Sequence, residues 1–354
     1  MIETGKLKKL IESGLRGMTS NPTIFHQAIS SCNDYDDKIV QFKEAGKSTF
    51  EIYDELTIRD IQDACDIFKN VYRETQKLDG YVSLEINPKI ANDAQASIKE
   101  GERLFQKVNR PNVMIKVPAT QAGFTIIEEL LAKGVNVNVT LIFSLNQYSQ
   151  TVNAFLKGME RFSKRESELS QLRSVASVFV SRIDTSVDKL LDEKIHKESN
   201  PATKDKLQSF KGKAAVGNCD LIYAKFKELF SGKTFKALAQ KKCQVQRVLW
   251  GSTSTKNPAY SDIKYVTELI APNTVNTMPE NTLNAFLDHG EAKEGLQGNT
   301  KEAEAIFKEL KTFGIDINDV CLNLLKEGVV AFEKSFDSLL EAIEKKAQQL
   351  CHRP

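Results

Sequence analysis

Short apolar runs alternate with helical patterns along almost the whole chain, and this alternation limits the fold more than any other feature. Strand-like runs occupy residues 15–19, 81–86, 112–120, 135–143, 174–183, 246–252 and 273–277, with amphipathic patterns between them. One strand and one helix per roughly 25–45 residues is the spacing of a parallel α/β sheet. Several of the runs also carry a polar face. By the two-residue period of a strand, Val82, Leu84 and Ile86 share one side and Tyr81, Ser83 and Glu85 the other. In 135–143, Val135, Val137, Val139 and Leu141 alternate with Asn136, Asn138 and Thr140. Asparagine is a poor strand residue, so a polar pocket is expected on that face.

A doubly wound sheet buried on both sides does not show polar faces so consistently. A closed barrel gathers functional groups where its strands run out at the C-terminal rim. Asn21, Glu85, Lys116, Thr140, Ser177 and Ser252 all fall at or near the C-terminal ends of strand-like runs. The expected fold is therefore a (β/α) barrel. Seven strands are counted where eight are needed, and the chain opens with the helix that should follow a first strand. Residues 48–78 read as one long helix and 196–204 as a surface loop. Residues 301–313 and 317–347 read as further helices, the latter as a pair or one long element. Together these predict a single domain over 1–354, with a barrel core to about residue 290 and a C-terminal helical extension over about 300–350.

The 354 residues are 41% hydrophobic and 27% charged, with a net charge of +2, which points to no nucleic-acid surface. No apolar run approaches the roughly 20 residues that a membrane span needs. Residues 1–14 lack the apolar core of a signal peptide. Six cysteines are scattered without C-x-x-C pairs, and the four histidines do not stand near them at zinc-ligand spacing. The expectation is a cytoplasmic protein with reduced thiols, bound to neither nucleic acid nor membrane. No G-x-G-x-x-G follows a strand, and there is no H-E-x-x-H or G-x-S-x-G, which weighs against dehydrogenase, zinc-hydrolase and serine-hydrolase chemistry. The run from Ser252 to Asn257 lacks the second glycine of a P-loop, so nucleotide binding is rejected there.

Within 112–120, Val113, Ile115 and Val117 take one face, Met114 and Lys116 the other, and Pro118 ends the strand. A lysine in such a run is costly unless paired or neutral. Free lysine titrates near about 10.4, so burial that lowers this value would make Lys116 a nucleophile toward carbonyls. The plainer alternative is a lysine that marks the strand end and reaches solvent. In a Schiff-base site the amine attacks a ketone, the carbinolamine loses water, and the protonated imine draws electrons from a breaking carbon–carbon bond. Glu85 and Thr140 are placed to manage the water, Asn21 and Asn138 to bind sugar hydroxyls, and Arg182, Lys256 and Ser252 to bind a phosphate. Glu85 also reads as a solvated strand-end acid, and Arg182 as an ordinary ion-pair partner.

With these residues in view, the chain resembles the transaldolase family, a Schiff-base branch of the (β/α)8 barrels, and most closely its longer bacterial type. The segments that carry the resemblance begin with Thr19-Ser20-Asn21-Pro22-Thr23-Ile24-Phe25, Val82-Ser83-Leu84-Glu85 and Arg110 through Thr120. They continue with Asn136 through Ser144, Ser177-Val178-Phe179-Val180-Ser181-Arg182 and Trp250 through Pro258, in order over nearly the whole chain. The resemblance implies a TIM barrel and transfer of a dihydroxyacetone unit from sedoheptulose 7-phosphate to glyceraldehyde 3-phosphate. The products would be erythrose 4-phosphate and fructose 6-phosphate, in the pentose phosphate pathway, with no cofactor or metal. Lys116 matches the Schiff-base lysine, and Glu85 and Thr140 the residues that handle water. Asn21, Asn138 and Ser177 match dihydroxyacetone-binding groups, while Arg182, Ser252 and Lys256 match the phosphate site. The family also suggests homodimers.

One departure stands out. The family's first strand carries an acid/base aspartate that should lie upstream of Ile2-Glu3-Thr4-Gly5, and Glu3 is not its equivalent. The expectation is a misassigned start, or else a truncated paralogue. A fructose 6-phosphate aldolase, which the long chain fits less well, and an inactive sugar-phosphate-binding paralogue are the alternative functions.

Overall fold

A computed structural model describes residues 4–351 of the chain. Glu3 and His352 lie outside the described residues. Seven strands, β1 (Gly17–Thr19), β2 (Tyr81–Glu85), β3 (Val113–Pro118), β4 (Val137–Ile142), β5 (Ser174–Phe179), β6 (Arg247–Gly251) and β7 (Thr274–Asn276), follow one another in the sheet as they do in the chain. The β1–β2, β2–β3, β5–β6 and β6–β7 pairs are parallel. This is the parallel α/β architecture that the alternation predicts. No helix among the described residues is long and apolar enough to cross a membrane.

The chain divides into two compact units. The first holds residues up to Val117, Gln121–Asn138 and the chain from Val329 onward. Its helices are α1 (Lys6–Glu12), α2 (Pro22–Ser31), α3 (Asp36–Glu44), α4 (Thr49–Ile67), α5 (Lys69–Glu74), α6 (Ala94–Val108) and α7 (Gln121–Ala132). Local chemistry sets their starts. Asn21 caps α2, its Oδ1 accepting from the Ile24 N–H, with Pro22 in the first turn. Ser48 and Glu51 form a reciprocal capping box on α4. The expected single helix over 48–78 is broken at Phe68 and ends at Glu74. Gln76 and Lys77 then turn left-handed, and Gly80, at φ +83, brings its backbone so close to Tyr72 that a Cβ would lie 2.5 Å from the Tyr72 nitrogen. Asn112 fixes the approach to β3 by donating to the carbonyls of Cys65 and Gly80 at 2.9 and 2.8 Å.

The second unit holds Pro118–Thr120 and Val139–Gly328. Its helices are α8 (Leu145–Phe162), α9 (Ser181–Lys197), α10 (Pro201–Gln208), α11 (Ala214–Ser231), α12 (Lys233–Ala239), α13 (Lys264–Thr267), α14 (Glu280–His289) and α15 (Thr300–Thr312). The last helix, α16 (Ile317–Cys351), is one unbroken element whose residues from Val329 belong to the first unit. Two expectations are corrected here. The strand expected over 174–183 stops at Phe179, so Ser181 and Arg182 stand in the first turn of α9. The surface loop expected over 196–204 is cut short at both ends, because α9 runs to Lys197 and α10 begins at Pro201, capped by Asn200.

Candidate active site

In the first unit the C-terminal ends of β1, β2 and β3 bring a lysine and a carboxylate together out of water. Glu85 and Lys116 are register partners on neighbouring parallel strands. Lys116 is 6% exposed, and its Nζ donates to the Ser20 carbonyl at 3.1 Å and to Glu85 Oε2 at 3.4 Å. Its third neighbour is the ring of Phe332 on α16, with the centroid 5.8 Å away. The lysine therefore does not reach solvent, and Glu85 is no solvated strand-end acid. Burial pushes the Glu85 carboxyl above the ordinary carboxylate range, against the pull of the Lys116 charge.

The polar face of β4 divides into two kinds of residue. Asn136 donates to the carbonyls of Pro111 and Val113 at 3.0 and 3.1 Å, and so binds the start of β4 to the start of β3. Asn138, fully buried, donates to Ser83 Oγ at 3.0 Å, two residues before Glu85 on β2. Ser20 Oγ in turn donates to the Ser83 carbonyl at 2.7 Å, which fixes the peptide whose oxygen meets Lys116. Asn21, the next residue, spends its Oδ1 on the α2 cap.

In the second unit, Thr140 is fully buried, and its hydroxyl has no partner among the described residues. A buried hydroxyl without a partner is costly. The strand turns sharply just after it: Leu141 sits at φ +58, a left-handed conformation a leucine rarely takes. Gln147 clamps this turn. Its Nε2 donates to the carbonyls of Leu141 and Ala119 at 3.1 and 3.0 Å, while its Oε1 accepts from the amides of Phe143 and Ser144 at 3.1 and 3.2 Å.

Ser177 lies mid-strand in β5, buried, on the same face as Phe179. Arg182 lies over the Phe179 ring, 5.5 Å from its centroid. Burial lowers the guanidinium pKa, against the pull of the Glu327 charge, and no carboxylate lies within ion-pair distance of it among the described residues, so it is not an ordinary ion-pair partner. The structure joins its neighbourhood to Ser252. Ser181 N–H donates to the Ser252 carbonyl at 3.0 Å, the two hydroxyls are 3.1 Å apart, and Ser252 takes φ +54. Lys256 goes elsewhere, into a cleft of 420 Å³ lined by Asp184, Asp188, Asp192 and Tyr260, and not by Arg182 or Ser252. Four contributors escaped the sequence reading. Ser83 had a signal in its shared face with Glu85, and Gln147 in the Ser-x-x-Gln capping pattern from Ser144. Ser20 acts through its backbone, and Phe332 comes from a distant helix.

The fold and this site define a parallel α/β enzyme scaffold built around a buried lysine–carboxylate pair at strand ends. The transaldolase/fructose-6-phosphate aldolase family model matches residues 1–343. A transaldolase from Trichodesmium erythraeum is 43% identical over 353 residues, which cover 99% of this chain and 93% of that protein. One from Saccharopolyspora erythraea is 43% identical, covering 98% and 92%, and one from an Arthrobacter species is 43% identical, covering 97% and 91%. The chain belongs to the transaldolase/fructose-6-phosphate aldolase family.

Proposed function

We propose that the protein is a transaldolase, which transfers a dihydroxyacetone unit from sedoheptulose 7-phosphate to glyceraldehyde 3-phosphate through a Schiff base on Lys116. The observation that carries this reading is the Lys116 amine, dry and set between Glu85 and the Ser20 carbonyl. The amine adds to the donor's ketone carbon, and the carbinolamine expels its oxygen as water. Glu85, its pKa raised by burial, shuttles the proton, and the Thr140 hydroxyl holds the water that leaves and later returns. The protonated imine then takes the electron pair of the adjacent carbon–carbon bond as it breaks. The enamine so formed attacks the acceptor aldehyde, and hydrolysis frees the new ketose. Asn21, Asn138 and Ser177 bind the dihydroxyacetone hydroxyls. Arg182, in the first turn of α9, and Ser252, whose hydroxyl is 3.1 Å from that of Ser181, bind the phosphate, where a buried cation and hydroxyl groups favour an anion. Lys256 has a weaker claim to that role, given its acidic cleft.

The finer reading is a single (β/α)8 barrel domain with C-terminal helices. A cytoplasmic homodimer acting on sugar phosphates goes with the same reading. The function itself is tested by a coupled assay for erythrose 4-phosphate and by borohydride reduction in the presence of fructose 6-phosphate. The expected result is turnover, with an adduct mapped to Lys116 and abolished in Lys116→Met. Persistence of the adduct in that variant sinks the lysine assignment, and an adduct without turnover marks a binding protein.

A further inference from the structure

We infer that Phe332, on α16, is a positioning residue for Lys116, whose ring keeps water from the covalent intermediate and so sets the balance between transfer and premature release. The inference rests on the Schiff-base reading of Lys116. The Phe332 ring lies over the Lys116 amine, 5.8 Å from Nζ to centroid, opposite polar contacts to Ser20 and Glu85.

The ring is held there by the helix as a whole. Phe332, Phe336, Leu339, Ile343 and Ala347 lie on one buried stripe at helical spacing. Phe336, one turn on, meets Tyr53 of α4 edge-on, with centroids 5.2 Å apart and planes at 89°. Polar contacts fix the register along the same stretch. Thr23 donates to Ser335 Oγ at 3.0 Å, Lys89 pairs with Asp337, Lys43 reaches Glu344 at 3.5 Å, and Lys346 donates to the Ile29 carbonyl at 2.9 Å. A side chain at position 332 is thereby aimed at the amine by the anchoring of the helix that follows it.

A phenyl ring at that place has two effects on the reaction. Its face attracts a cation, and the protonated imine is cationic, so the ring favours the protonated imine over the neutral amine. Its bulk also keeps water from the imine carbon. Release without transfer needs the enamine carbon to take a proton and one water to add to the imine. The iminium and that water then give free dihydroxyacetone and the lysine ammonium, with no oxidant or reductant. Excluding water slows this step, whereas the enamine's attack on the aldehyde needs no water; hydrolysis of the product imine comes only after that bond has formed.

The experiment uses the full chain with fructose 6-phosphate as donor and erythrose 4-phosphate as acceptor, and compares free dihydroxyacetone with sedoheptulose 7-phosphate formed. In Phe332→Leu, borohydride still traps the adduct on Lys116, while the release-to-transfer ratio rises roughly three- to thirtyfold, the range expected for losing one cation–π contact. Phe332→Tyr returns the ratio to within about twofold of the parent protein, since the π face is restored. If Phe332→Leu does not fold, Phe332→Met is read in the same way. A ratio unchanged in every folded variant, or release and transfer falling together, overturns the inference. Absence of any adduct in the unmodified protein instead overturns the Lys116 reading, and this inference with it.

Discussion

Lys116 and Glu85 stand opposite each other on adjacent parallel strands, and their side chains end 3.4 Å apart with almost no exposure to water. A pair buried to this degree gains little net stability, because desolvating both charges offsets most of their attraction. Such a pair is better explained by chemistry than by folding. The strand register supplies the geometry without any loop, so the amine and the carboxyl keep their places when the substrate arrives.

Glu85→Gln is the direct test of that pair. Glutamine keeps the shape but carries no proton between carbinolamine and water. Turnover and the rate of borohydride-trappable adduct formation are expected to fall roughly 10²- to 10⁴-fold, the usual size of a lost acid–base group. Because burial raises the Glu85 pKa, the acid limb of kcat/KM in the parent protein should lie above the ordinary carboxylate range and belong to the pair jointly. That limb should vanish in the variant, and a limb that stays in place assigns it to another group.

How much of this was legible beforehand follows from the range of the interactions. The strands and the isolated lysine were visible because a two-residue period and a cation in an apolar run are local patterns. The start of α9 was not, because Ser181 and Ile183 continue the alternation of β5 and only the backbone turn at Val180 ends it. Asn136 and Asn138 look alike in sequence, yet one binds backbone carbonyls and the other a serine on the next strand. The short helices α3, α10 and α12 have only one or two buried residues each, too few to make a period. Phe332 carries no local signal, since its place over Lys116 depends on where a long helix lies.

Gln147→Leu tests the clamp behind Thr140. The substitution removes four hydrogen bonds to the backbone and strands the Phe143 and Ser144 amides and two carbonyls. A loss of about 2–4 kcal/mol in urea unfolding is expected, as each group left unsatisfied in a buried setting costs about 1–3 kcal/mol and some relax. Leu141→Gly bears on the same turn from the other side. It relieves the left-handed strain but removes a buried side chain, so it should be the less harmful of the two only if the strain is large. A Gln147→Leu protein of unchanged stability would show that the turn holds itself.

Arg182 is expected to govern affinity for the phosphorylated substrate. Arg182→Leu should raise KM about 10- to 100-fold with a smaller effect on kcat, in keeping with charged hydrogen bonds of about 1.5–3 kcal/mol. Competitive inhibition by inorganic phosphate should weaken in parallel. Since burial of the guanidinium is a cost that the Glu327 charge only partly offsets, the variant should be no less stable than the parent, apart from the lost contact with Phe179. A fall in kcat with KM unchanged would place the arginine outside the phosphate site.

Asp184 gives the second unit a predictable dependence on pH. Its side chain is 1% exposed, accepts from the Ala215 N–H at 2.7 Å and from the Tyr265 hydroxyl at 2.8 Å, and has its pKa raised by burial to about 6. Asp188 adds to the rise, and the Ala215 and Tyr265 bonds and the Lys264 charge oppose it. A carboxyl with a raised folded pKa binds its proton more tightly in the native state than in the unfolded chain. Its contribution is therefore fully present below about pH 4 and is lost as pH climbs through about 6. At about 1.4 kcal/mol per unit, the loss comes to about 2–3 kcal/mol at neutral pH. Asp184→Asn keeps an acceptor for Ala215 and has no charge to bury. It should be more stable than the parent by up to that amount above pH 6, with the difference closing toward pH 4. Urea unfolding of both proteins at half-unit steps from pH 4 to 7.5 measures this directly. A difference that does not change with pH would mean that Asp184 titrates in the native protein as it does in the unfolded chain.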